Sequence, residues 1–208
     1  MLYTKPVWDP PALDDVHRLI DRLAFAAFVS QGADGPAVSH LVFVRQDGGP
    51  HGTLVSHLAR DNDHCALVEA GAPSVAVFTG PHAYVSSSWY PAEPVRDSAP
   101  TWNFAVVHCH GRPVPTDDGE TARHLHELTS RLERGRESAW SMGELGPGGV
   151  ERRLPRIRGF RLPIARLEAK FKMGQDERWP DTKAAIGRLE AEGPGEVAAM
   201  MRDLNKGR

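Results

Sequence analysis

The sequence predicts a mainly β protein of the α+β class, in which a small antiparallel barrel carries peripheral helices. Six or seven short segments rich in Val, Phe and Thr are separated by Gly, Asp and Pro turns, which is typical of hairpins. Helical periodicity is limited to the ends of the chain and to one crossover. The 208 residues suffice for one domain over 1–208, with a helical C-terminal segment at about 176–208.

Each element follows from a local pattern. Pro10 and Pro11 follow Asp9, a capping residue, and predict a helix start; the apolar residues after it recur at helical spacing: Leu13, Val16, Leu19, Ile20 and Leu23. Strands are predicted at 24–31, 36–46, 51–59, 74–80, 82–90, 101–114 and 156–173. A short helix or a turn is predicted at 61–70. A helix is predicted at 117–137, with Leu125, Leu128 and Leu132 on one face. A last helical segment is predicted at 181–204, with a break at Gly193-Pro194-Gly195. A loop is predicted at 91–100.

Composition restricts the function classes. With 40% apolar and 25% charged residues the chain is an ordinary globular protein, and its net charge of −2 does not favour direct nucleic-acid binding. No apolar run reaches membrane-spanning length, and no signal peptide is indicated. Cys65 and Cys109 are far apart, so no disulfide is predicted and the expected location is the cytoplasm. Eight arginines and four glutamates between Arg131 and Arg161 indicate a solvated surface rather than a phosphate-binding patch.

Histidines are numerous, but they give a weak metal signal. His108 and His110 flank Cys109 on a predicted strand, so both imidazoles lie on one face. A carboxylate beside them would complete a metal site, although cross-strand hydrogen bonding is the simpler interpretation, and no metal is predicted. His124 and His126 are predicted to be surface residues of the 117–137 helix.

Polar and aromatic residues give a denser signal. His82, Tyr84, Ser86 and Ser88 alternate along one predicted strand, and Trp102 and Asn103 follow in the next. Such a face suits a planar heterocycle, because rings stack on it while hydroxyls and amides bond its edge. The alternative is that the aromatic residues fill the core or a subunit interface.

Two further clusters suit an anion. Ser56, His57 and Arg60 end one predicted strand, and a guanidinium offers a phosphate two parallel hydrogen bonds. Lys170 and Lys172 share one face of the last strand, shortly before Gln175, as either an anion site or a solvated edge.

Five segments taken together resemble a known family. They are SHLVFV (39–44), SHLARDN (56–62), GPHAYVSSSWY (80–90), APTWNFAVVHCHGRP (99–113) and EAKFKMGQ (168–175). Their order and spacing resemble the signature blocks of the PaiB-type FMN-binding negative transcriptional regulators. The chain departs from the family pattern at Ser56, at Ser87 and at 174–176.

The resemblance implies a flavin-reductase-like split barrel that binds FMN at the interface of a homodimer. Carried onto this chain, Ser39, His40 and Leu41 would flank the flavin ring, and Ser56, His57 and Arg60 would lie near the ribityl chain or the phosphate. Ser86 and Ser88 would close the pocket, Trp102 and Asn103 would reach across from the partner subunit, and Lys170, Lys172 and Gln175 mark the last block.

Three functions remain open. The first is a regulator of the PaiB type whose state depends on FMN and which acts indirectly, since the net charge does not favour DNA. The alternative is an FMN-dependent oxidoreductase or flavin reductase using NAD(P)H, with His57, His82 and Tyr84 as candidate proton donors and no catalytic residue assigned. A haem-binding or haem-degrading protein is the least favoured.

Overall fold

The structure, a computed structural model, describes residues 2–92, 96 and 98–208, so the predicted loop at 91–100 lies partly outside the described residues. The described chain forms two compact units. Unit 1 contains the residues up to 19 together with 79–107 and 168–208, and unit 2 contains 20–78 and 108–167.

Nine strands and five α-helices occur within the described ranges. The strands are β1 (Phe25–Gly32), β2 (Gly35–Val42), β3 (Val44–Gln46), β4 (Thr53–Ala59), β5 (Ser74–Val85), β6 (Thr101–Gly111), β7 (Val114–Pro115), β8 (Ile157–Pro163) and β9 (Arg166–Lys172). The helices are α1 (Leu13–Leu23), α2 (His64–Glu69), α3 (Asp118–Glu133), α4 (Trp179–Glu192) and α5 (Gly195–Leu204). The strand orders are β2-β1-β5-β6-β9 in one sheet and β3-β4-β8-β7 in the other. This arrangement confirms the predicted mainly β fold of the α+β class.

Unit 2 is organised around strand alternation. β1 pairs antiparallel with β2 from Phe25 opposite Val42 to the turn at Gly32 and Gly35. Alternate residues of β1 point inward, and fully buried Phe28 packs 5.1 Å from the ring of Phe160. The outward residues of the same strand stay partly or fully exposed, because a strand presents successive side chains to opposite faces.

Two predicted strands are each divided into two in the structure. The 36–46 segment breaks at Phe43, which is buried. The Phe43 N–H bonds the Ala24 carbonyl at 2.7 Å, and Ala24 lies opposite Phe43 when the β1–β2 register is extended by one residue. β2 and β3 belong to different sheets. The 156–173 segment likewise divides into β8 and β9, which also lie in different sheets. The first break lies in an unbroken apolar run, 41–44, so no periodicity marks the change of sheet. At the second break, β8 ends at Pro163.

The predicted strands at 74–80 and 82–90 are in fact one strand and a turn. β5 runs without interruption through Pro81 to Val85, and Ser87–Trp89 then forms a 3₁₀ helix. The strand prediction for the serine run is therefore wrong. The side chain of Ser86 accepts a hydrogen bond from the Ser88 N–H at 3.2 Å and so ends the strand as a cap.

The helix predictions are confirmed with two changes. α1 starts at Leu13 rather than directly after Asp9, because Asp9 closes a 3₁₀ turn with its N–H on the Pro6 carbonyl. α3 buries Thr121, His124 and Leu128, so the prediction that His124 is a surface residue is wrong. His126 is exposed as predicted, whereas the predicted apolar face is only partly buried, since Leu132 is 48% exposed.

Other sequence predictions can be compared directly. Cys65 and Cys109 are both free and buried. Four of the eight arginines between 131 and 161 form ion pairs within unit 2: Arg131 with Asp21, Arg136 with Glu133, Arg158 with Glu69, and Arg161 with Glu120. Among the helices of the described residues, none combines the length and the apolarity that crossing a bilayer requires.

Candidate functional site

Three aromatic side chains of unit 1 lie together on the solvent-exposed side of β5 and β6. His82 and Trp102 are stacked with ring centroids 5.9 Å apart, and the indole Nε1–H of Trp102 points to His82 Nδ1 at 3.3 Å. Tyr84 lies 6.2 Å from Trp102. Tyr84 and Trp102 are 49% and 50% exposed, so these rings do not fill the core. We refer to His82, Tyr84 and Trp102 as the aromatic face.

Ser86 and Ser88 lie directly after this face in the chain. Their hydroxyls bond each other at 2.8 Å at the start of the 3₁₀ helix, and Ser88 is exposed while Ser86 is half-buried. Both hydroxyls retain further hydrogen-bonding capacity, because each oxygen has two lone pairs and one proton.

Asn103 points away from the aromatic face into the interior of unit 1. It is 1% exposed, and its amide nitrogen lies 3.5 Å from the sulfur of Met201. Its Oδ1 has no hydrogen-bond partner among the described residues. Alternation explains the difference from Trp102, since neighbouring residues of a strand point to opposite sides.

Lys170, Lys172 and Gln175, the predicted site residues of the last family segment, differ in what they contact. Lys170 and Lys172 project toward the N-terminal segment of unit 1, where both ammonium groups lie near the indole of Trp8. Gln175 instead bonds the backbone: its Oε1 accepts from the Met173 N–H and its amide donates to the Phe171 carbonyl, both at 2.6 Å. Its side-chain amide therefore holds the end of β9.

Unit 2 contains the first two predicted blocks. Ser39 is buried in a chain of hydrogen bonds: its hydroxyl lies 3.0 Å from His64 Nδ1, and His64 Nε2 lies 2.7 Å from the hydroxyl of Ser30. Ser30 in turn bonds Ser74 at 2.6 Å. Burial lowers the pKa of His64, which favours the neutral imidazole that can donate from one nitrogen and accept at the other. The network satisfies buried polar groups in the unit 2 core.

The neighbours of Ser39 follow the strand alternation. Leu41 is buried in the core, whereas His40 is exposed and stacks on the exposed ring of Phe25 at 5.9 Å. Of this block, His40 is the residue whose side chain is open to a ligand.

Ser56, His57 and Arg60 on and after β4 have partners inside unit 2. Ser56 is fully buried and donates to the Val42 carbonyl at 2.8 Å. Arg60 donates to the carbonyls of Pro155 and Ile157 at 3.0 and 3.2 Å. Neither acceptor is charged, so these bonds bring no negative group to the exposed guanidinium.

His57 contacts a histidine of α3. Its Nδ1 lies 3.2 Å from Nε2 of His124, which is 2% exposed. Burial lowers the pKa of His57, and burial together with His57 lowers the pKa of His124 to about 4. Both imidazoles are therefore neutral near pH 7. His108 and His110 share one side of β6 as predicted, with ring centroids 6.1 Å apart.

A family model described as "Putative FMN-binding domain" matches residues 2–166 of the chain. The chain belongs to this FMN-binding family. The family's cofactor, FMN, is therefore the cofactor of this chain. The "Protease synthase and sporulation protein PAI 2" of Bacillus subtilis (strain 168) is 28% identical over 196 residues, which cover 93% of each chain. The resemblance to the PaiB-type proteins is thus confirmed.

Solved structures support the fold of this family member. The FAD and haem binding protein from Mycobacterium smegmatis aligns with a TM-score of 0.58 at 17% identity, covering 82% of this chain and 74% of that protein. The conserved hypothetical protein Rv2991 from Mycobacterium tuberculosis aligns with the same TM-score at 10% identity, covering 82% and 91%. Identities this low establish the fold alone.

Sequence reasoning missed the N-terminal residues of this FMN-binding chain that contact the lysines. Trp8 is buried, and Tyr3 lies edge-on to it at 6.2 Å. The available signal for these contacts was the alternation of Tyr3, Lys5 and Trp8 near the start of the sequence. It was uninformative without the fold, because only the tertiary structure brings these residues to β9.

Proposed function

We propose that the flavin ring of FMN binds on the aromatic face, and that the chain acts as a flavin-dependent regulatory protein. The exposure of these rings carries the proposal. Tyr84 and Trp102 are each about half exposed beside His82, whereas aromatic side chains that only fill a core would be buried. A planar heterocycle would cover both of these rings. Ser86 and Ser88 follow Tyr84 in the chain, and their paired hydroxyls are the candidates to bond a polar edge of that heterocycle.

The experiment compares two exposed tryptophans. Trp102→Ala should weaken FMN binding by about 1–3 kcal/mol, the range found when a planar base loses a stacked aromatic side chain. Trp140→Ala in unit 2, where the indole is 39% exposed, is the matched control and should leave the affinity unchanged. Quenching of flavin fluorescence gives the dissociation constants. Equal affinity of Trp102→Ala and wild type would exclude the aromatic face as the flavin site.

Regulation through flavin chemistry, in the cytoplasm, is favoured over direct DNA recognition. The net charge is −2, and four of the eight arginines between 131 and 161 are already paired with carboxylates of the described chain. Cys65 and Cys109 remain free thiols, which suits a reducing compartment. Binding to double-stranded DNA that declines steeply with salt would contradict this proposal, since such a slope reports phosphate contacts.

An FMN-dependent oxidoreductase is the second candidate. One observation favours it: the aromatic face opens to solvent at Tyr84 and Trp102, so a second planar ring such as a nicotinamide has access to a flavin bound there. FMN supplies hydride chemistry when bound, and the chain contributes its position and surroundings. Bleaching of the flavin colour by NADPH under anaerobic conditions would select this candidate, and no bleaching would favour the regulator.

The proposed assembly is a homodimer of split barrels. An uncovered apolar row in unit 2 supports it: Val38 of β2, Val29 of β1 and Val75 of β5 are paired side by side, and Val38 is 57% exposed. Phe25 on the same outward side of β1 is 55% exposed. Contiguous exposed apolar side chains of this kind mark interaction surfaces.

A further inference from the structure

Three lysines of unit 1 converge on one indole. The ammonium nitrogen of Lys170 lies 4.3 Å from the ring centroid of Trp8, that of Lys5 lies at 4.7 Å, and that of Lys172 lies at 5.9 Å. We call Lys5, Lys170 and Lys172 the lysine cluster. Like charges gathered around one ring repel each other, and both Lys172 and Lys5 disfavour the charged form of Lys170, so this arrangement needs a compensating interaction.

Lys170 is the member of the cluster whose charge is least compensated by its neighbours. Its side chain is 6% exposed, and within the described part of the chain it forms no ion pair and no hydrogen bond. The rings of Trp8, Phe104 and Tyr3 surround its nitrogen, the latter two at 5.0 and 5.2 Å. Lysine is almost never buried without a partner, and cation–π contacts offset only part of the cost of desolvation.

The surroundings of Lys170 oppose its charge. Burial lowers the pKa of Lys170 first, and the charges of Lys172 and Lys5 lower it further, while Asp176 acts in the opposite direction. An anion seated among the three ammonium groups would reverse this balance, because it interacts favourably with each of them.

Lys172 has polar partners that carry no charge. Its ammonium donates to the hydroxyl of Thr101 and to the Trp102 carbonyl at 3.3 Å. Glu177 lies close enough to affect its surroundings electrostatically, but the two form no ion pair within the described residues. The lysine cluster therefore keeps positive charge that neighbouring carboxylates do not neutralise by direct contact.

We propose that the lysine cluster binds a phosphate monoester dianion. A doubly charged group matches several converging ammonium groups better than a single carboxylate does, and it has enough oxygens to accept a charge-assisted hydrogen bond from each. This inference rests on the proposed flavin function, because the 5′-phosphate of FMN is such a monoester. Inorganic phosphate has the same chemistry as a second source, and the experiment separates the two.

The experiment measures binding of FMN, riboflavin and inorganic phosphate by calorimetry. Riboflavin has the same ring as FMN and lacks the phosphate. Lys172→Met should weaken FMN binding about ten-fold or more, the loss typical of a hydrogen bond to a charged group, and should leave riboflavin binding unchanged. Lys183→Met on α4 removes an exposed lysine outside the cluster and should change neither. Lys170→Met should also weaken FMN binding, with circular dichroism reporting whether the variant folds.

The outcomes separate this inference from the proposed function. If FMN and riboflavin bind wild type equally, or if Lys172→Met binds FMN as wild type does, the phosphate does not use the lysine cluster although flavin binding stands. If Lys172→Met weakens riboflavin as much as FMN, the lysine acts through the fold or the ring and the inference fails. If neither flavin binds while inorganic phosphate binds and is lost in Lys172→Met, the flavin proposal fails and the cluster remains an anion site.

Discussion

Acid should destabilise this protein through the buried histidine of α3. His124 is 2% exposed and its pKa is about 4, against an ordinary value of 6.5. The folded state therefore takes up the proton at lower pH than the unfolded state. Stability is complete above about pH 7 and is lost as the pH falls toward 4, because the unfolded chain gains the proton first. The difference between the two pKa values corresponds to about 3 kcal/mol of unfolding free energy.

Urea unfolding over a series of pH values measures this effect. His124→Gln removes the titrating group, so its unfolding free energy should decline less between about pH 7 and pH 5 than that of wild type. His126→Gln is the matched control, since His126 is exposed two residues further along the same helix. Part of the decline should persist in His124→Gln, because burial also lowers the pKa of His57 and His64. Identical pH profiles for His124→Gln, His126→Gln and wild type would refute the reasoning.

Two more predictions concern packing and assembly. A Cβ at Gly159 would overlap the hydroxyls of Thr116 and Thr121, so Gly159→Ala should lower the unfolding free energy by about 1–3 kcal/mol. Gly187→Ala, where no atom lies within 4 Å, should instead raise it by about 0.5–1 kcal/mol because alanine favours the helix; urea titration compares both. Val38→Glu should convert the proposed dimer to a monomer in light scattering, and an unchanged mass would place the interface elsewhere.

The fold class could be predicted because its signals are local. Alternating apolar residues, turn residues and the helical spacing of α1 and α3 each act within a few positions of the chain. The change of sheet at Phe43 could not be predicted in this way. Phe43 lies within an unbroken apolar run from Leu41 to Val44, so no periodicity marks the residue at which one strand ends and the next begins.

The candidate site was predictable to a different degree at different residues. Alternation within β5 and β6 correctly placed His82 and Tyr84 on one side, and the exposure of Trp102 decided between a core and a surface role. The burial of His124 could not be predicted, because its helix neighbours are mostly polar and its partner His57 lies on a distant strand. Tertiary contact overrides local polarity in such cases.

The hydrogen bonds of Gln175 have a consequence for Lys172. The side-chain amide of Gln175 donates to the carbonyl of Phe171 and accepts from the N–H of Met173. These two groups belong to the peptide bonds on either side of Lys172. The backbone around Lys172 is thus rigid before any ligand arrives, so little conformational entropy is lost there when its ammonium engages an anion. Gln175 would in this way strengthen the proposed binding of an anion by the neighbouring ammonium without contacting the anion itself.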